Sequence, residues 1–65
     1  MNDKELRYKV RTLKAFYNVP YKDMADYFNI TYNSFCSWLH GYYNFKATRL
    51  PELYKKMNEI ESYLS

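Results

Sequence analysis

Apolar residues recur at helical spacing along most of the chain. Leu6, Val10, Leu13 and Tyr17 fall at i, i+4, i+7 and i+11, within about 40° of arc at 100° per residue. Lys4, Arg7, Arg11 and Lys14 form a stripe of their own, so the pattern predicts an amphipathic first helix with a basic back. Asn2 or Asp3 caps its start, and Asp3 and Glu5 suit the positive end of its dipole. Asn18-Val19-Pro20 ends it, because the residue before proline avoids the helical region. Pro20 then opens a second helix, Tyr21 to Phe28, with Met24, Ala25 and Phe28 facing inward. Asn29 closes it in the left-handed conformation and Ile30 follows as an apolar anchor. Thr31 caps a third helix from Tyr32 to about His40, burying Phe35, Trp38 and Leu39, with Gly41 at its end. Residues 42–45 form a loop, leading directly or through a short helix to a last helix, Leu50 to Leu64, with Pro51 in its first turn. Leu50, Leu53, Met57, Ile60 and Leu64 keep heptad spacing there. The first three complete a core and the tail beyond is free for a partner; Met57, at the edge of that core, is expected as a dimer contact together with Ile60 and Leu64. The expected architecture is all-α, a compact bundle of four to five helices in a single domain.

Composition narrows what such a bundle can do. In 65 residues 48% count as apolar, but nine of those are tyrosines. The core is therefore small, and a deep enzymatic pocket is not expected. No paired carboxylates, phosphate loop or nucleophile constellation appears, so the chain does not read as an enzyme. A single Cys36 excludes an internal disulfide and fits a reducing compartment. A lone His40 makes no metal site, and no cofactor or small-molecule ligand is implied. No apolar run approaches the roughly 18 residues of a membrane span, and no signal peptide precedes MNDKELR. The expectation is a soluble cytoplasmic protein with no membrane partner.

The net charge is +3, and its layout is more informative than its size. Between Asp26 and Glu52 there is no acid, while His40, Lys46 and Arg49 fall inside that window. A surface facing a polyanion is one reading; a solvated basic face is the other.

Residues 21–41 read YKDMADYFNITYNSFCSWLHG. Two helices joined by a three-residue turn need a large and then a small apolar residue on the first helix. They also need a residue tolerant of positive φ, an apolar anchor, an immediate cap, and two buried residues three apart. Met24, Ala25, Phe28, Asn29, Ile30, Thr31, Phe35 and Trp38 meet these needs in order, which is the helix-turn-helix arrangement. The stretch MADYFNITYNSFCSWLHG resembles the lambda-repressor/Cro-like helix-turn-helix family, and the resemblance extends over residues 3 to about 57. Asn29 replaces that family's usual turn glycine, Tyr21 its frequent phosphate-binding glutamine and Pro20 its capping threonine.

The resemblance implies a small phage- or plasmid-type regulator of a bacterial host. Its third helix would enter the major groove of double-stranded DNA, and a homodimer would bind a palindromic operator, most simply as a repressor. By position, Tyr32, Asn33, Ser34 and Ser37 would meet base edges. Their chemistry suits base reading, since Asn33 can bond adenine bidentately, Ser37 several bases, and Tyr32 a thymine methyl. Tyr21, Lys22, Tyr43, Lys46, Arg49 and the backbone near Asn44 would contact phosphates. The plainer readings are a core Trp38, a half-buried spacer at Cys36, and a His40 that favours the helix C-terminus. Two other functions fit the same fold. One is a protein-interaction module or inhibitor of anti-restriction or anti-CRISPR type, suggested by the tyrosines. The other is an excisionase-like architectural factor that bends DNA. The acid-free window favours the regulator.

Overall fold

The computed structural model describes residues 2–65, which form four helices: α1 (Asp3–Tyr17), α2 (Tyr21–Phe28), α3 (Tyr32–Leu39) and α4 (Leu50–Leu64). The start of α1 is capped by Asn2, whose Oδ1 accepts from the Glu5 amide at 2.8 Å. Thr31 does the same for α3, with Oγ1 accepting from the Ser34 amide at 3.1 Å. Pro20 precedes α2 and Pro51 lies in the first turn of α4, where a missing N–H costs no helical bond.

Three helices end by one device. Asn18 (φ 57°), Asn29 (φ 64°) and Gly41 (φ 89°) each take the left-handed conformation. The next amide then reaches back across the last turn: Val19 to the Leu13 carbonyl, Ile30 to that of Ala25, and Tyr42 to that of Ser37. The carbonyls that each helix would leave bare are thus partly satisfied, and the chain reverses within three or four residues. Between α3 and α4 there is no fifth helix. Residues 47–49 make a turn, closed by the Arg49 amide on the Lys46 carbonyl at 2.8 Å.

α4 lies against α1 and α2, while α3 packs mainly on α2. The core consists of Leu6, Val10 and Leu13 from α1; Met24, Ala25 and Phe28 from α2; Phe35, Trp38 and Leu39 from α3; and Leu50, Leu53 and Met57 from α4. Each is a residue that the periodicity assigns inward. Tyr17 and Ile30 are half-buried at its edge. Phe45, a loop residue, joins it without any periodic signal: its ring stacks on Trp38 at 4.7 Å and meets Phe28 edge-on at 5.9 Å. Among the described residues no helix is long and apolar enough to cross a membrane.

Met57 is wholly buried within the chain, which corrects its assignment to a dimer contact. The heptad stripe is continuous in sequence, but its first three residues face the chain's own core, so only Ile60 and Leu64 remain toward the free end.

Candidate nucleic-acid interface

α3 spans eight residues, about 12 Å of helix. With Phe35, Trp38 and Leu39 inward, the opposite side of the wheel is centred between Asn33 and Ser37, which stand one turn apart. Asn33 is exposed and makes no hydrogen bond through its side chain, whereas Ser37 is half-buried and its carbonyl accepts from the Tyr42 amide. Tyr32, half exposed, projects toward α2. Its phenol is held above its ordinary pKa range by the neighbouring Cys36 thiol, first through a hydrogen bond and then through charge, with smaller contributions from desolvation and Tyr21.

Ser34 faces the other way. The Tyr43 hydroxyl donates to the Ser34 carbonyl at 2.8 Å, so the Ser34 Oγ donates to that hydroxyl at 2.7 Å. Two groups expected at DNA are thus engaged with each other, and Ser34 is withdrawn from base reading. The pair holds the loop after α3 against the flank of the helix.

On the α2 side, Lys14, Pro20, Tyr21, Lys22 and Tyr32 surround a shallow cleft. Tyr21 packs one way on Phe35 at 5.9 Å, and the Lys14 Nζ lies 5.2 Å from the centroid of its ring. Pro20 supplies no side-chain cap to α2, although its carbonyl accepts from the Asp23 amide at 3.1 Å. Lys46 is exposed and follows Tyr43 and Asn44 in the loop after α3. Lys14, absent from the residues expected at this surface, joins Lys22 beside Tyr32 of α3.

The arginines behave differently. Arg7 donates from Nε to the Trp38 carbonyl at 2.7 Å, and from Nη2 to the Tyr43 carbonyl and the Asn44 Oδ1, each at 2.8 Å. Arg11 donates to the Leu39 carbonyl at 3.0 Å. Arg49 donates to the Phe28 carbonyl at 3.0 Å and lies over the Phe45 ring. Lys56 adds a bond to the Tyr27 carbonyl at 2.9 Å. Neither α2 nor α3 has a base in its own last turn, so distant helices and the loop supply cations to their negative ends. This corrects the placement of Arg49 among phosphate contacts, since its guanidinium is turned inward. The Asn44 side chain is likewise engaged by Arg7. The basic stripe of α1 is divided in the same way: Arg7 and Arg11 hold α3, while Lys14 faces the cleft. The one sequence signal for this was the lack of bases at the ends of α2 and α3.

Asp3 is a further contact invisible in the pattern. Its Oδ1 accepts from the Trp38 Nε1 at 2.7 Å and from the Phe45 amide at 2.9 Å. Among the described residues no group of three or more His, Cys, Asp or Glu side chains could hold a metal ion. Beyond Met57, Ile60 and Leu64 form part of the wall of an open, mainly apolar groove of about 540 Å³, with Tyr17, Val19, Tyr27 and Tyr63. Tyr63 is 90% and Leu64 43% exposed. No protein-family model, no curated protein and no solved structure matches the chain.

Proposed function

We propose that this chain is a sequence-specific DNA-binding regulator of repressor type that reads the major groove with α3. The observation that carries the reading is the outward side of α3. Asn33 is exposed there, Lys14 and Lys22 line the cleft beside Tyr32, and no acid occurs in the sequence between Asp26 and Glu52. A B-DNA major groove is about 12 Å wide and admits such a helix. Asn33 is the principal base-reading residue, with Tyr32 and Ser37 beside it. Lys14, Lys22 and Lys46 contact phosphates, and the opening amides of α2 add to them.

One copy presents a short reading helix, so a pair on a palindromic site is part of the proposal. Each copy measures 30 × 22 × 18 Å, a size that suits half-sites about 34 Å apart. The groove walled by Ile60 and Leu64 leaves α3 free and is the seat for the second copy.

Selection from a pool of randomised duplex DNA tests this. An enriched palindrome is expected. Asn33→Ala should then lose preference for it over unrelated duplex, whereas Lys46→Ala should weaken binding to both alike. No enrichment, or identical behaviour of the two variants, would reject the reading.

A further inference from the structure

We infer that Arg7 is a positioning residue for this surface, locking the loop of residues 42–46 onto the end of α3 so that reading helix and loop move as one body. The inference rests on the DNA-binding reading above.

The geometry has three parts. The Arg7 guanidinium joins the Trp38 carbonyl, in the last turn of α3, to the Tyr43 carbonyl and the Asn44 Oδ1 in the loop, by bonds of 2.7–2.8 Å. Its Cζ lies 5.2 Å from the Trp38 ring centroid, so the group is stacked as well as bonded. The planar guanidinium meets these acceptors in a fixed fork and stacks on the indole, a geometry that the compact ammonium of a lysine does not reproduce. At the other end of the loop, Asp3 holds the Phe45 amide and the Trp38 indole together. The loop lacks regular structure; the Tyr43–Ser34 pair and the Phe45 ring hold its side chains, and Arg7 ties its backbone at Tyr43 to the end of α3. Without Arg7, Lys46, the last residue of that loop, would have to be ordered on binding, at a cost in affinity, while still meeting the backbone of bound DNA.

Arg7 therefore acts through Lys46 and does not itself touch a phosphate, which separates it from a direct contact and from a mere stabiliser. The test uses Arg7→Gln and Arg7→Lys in the full chain, each checked for native helix content by circular dichroism. Amide hydrogen exchange should quicken at Tyr42 and Phe45 while Val10 and Leu53 stay protected. Affinity for the selected duplex should fall about threefold to tenfold, with preference over unrelated DNA unchanged. The dependence of log K on log salt should keep its slope in Arg7→Gln, whereas Lys46→Ala should lower it by about 0.9. In the double variant Arg7→Gln/Lys46→Ala, the loss should fall short of the product of the two single losses by about threefold or more.

Unchanged exchange at Tyr42 and Phe45, or losses that simply multiply, would overturn the positioning role. A slope reduced in Arg7→Gln would make Arg7 a direct phosphate contact instead. Should the unaltered chain select no duplex, the regulator reading fails and the positioning role fails with it. Quickened loop exchange in the variants, together with normal DNA binding by all of them, rejects the inference alone.

Discussion

Asp3 sits where a first-turn acid would be explained by the helix dipole, yet its carboxylate does more through space than along α1. It satisfies the indole N–H of Trp38, a residue with no exposed surface, and also fixes the Phe45 amide. A hydrogen bond to a charged group contributes about 1.5–3 kcal/mol, and an unmet buried donor costs about 1–3 kcal/mol. Asp3→Ala should therefore lower the unfolding free energy by about 2–3 kcal/mol. Asp26→Ala, an exposed change on α2, should stay within about 0.5 kcal/mol. Urea unfolding followed by Trp38 fluorescence compares the two, and a loss for Asp3→Ala no larger than that for Asp26→Ala would refute the role. The identity of the residue was legible and its partners were not, because they stand 35 and 42 positions away.

At the scale of elements, the three reversals follow from local chemistry. Asparagine tolerates a left-handed backbone that most side chains avoid, and each reversal is completed by amides within six residues. That is why the limits of α2 and α4 and the start of α3 are legible without any tertiary contact. The 42–49 loop has no such grammar: Phe45 is drawn inward by two rings and an acid from elsewhere in the chain. The heptad stripe of α4 shows the same limit, since spacing alone cannot say where the chain's own core ends and a partner's surface begins. Burial places that boundary after Met57. Leu64→Glu should therefore leave folding intact and shift the chain from dimer to monomer in sedimentation at tens of micromolar. Ile60→Glu should do so more strongly, with some loss of stability because Ile60 also packs on the core. A monomer in the unaltered chain, or a dimer untouched by either change, would remove α4 from the interface.

For the molecule as a whole, charge is divided between internal support and open surface. All three arginines bond the carbonyls that end α2 and α3, Lys56 joins them, and Lys9 pairs with Glu61. The count of ten bases therefore overstates what can meet a polyanion. With Lys14, Lys22 and Lys46 as the proposed phosphate contacts, log K should fall against log salt with a slope of about −2.7 for one copy and about −5.4 for a pair. Fluorescence anisotropy between 50 and 200 mM salt, about the range over which such slopes are read, measures it. A slope of about −8 or steeper would mean that arginines reach phosphates after all.

The amino-acid sequence by itself determined the helices, their caps, the inward-facing residues and the acid-free window, because periodicity, left-handed turns and charge order are properties of near neighbours. Only the tertiary structure decided which bases are free, which of the expected contacts face one another, and where the core stops along α4. Long side chains such as Arg7 and Arg49 reach acceptors tens of residues away, and their choice between solvent and carbonyl is made by packing. The same stripe of lysine and arginine on α1 thus became part support and part surface once α3 lay across it.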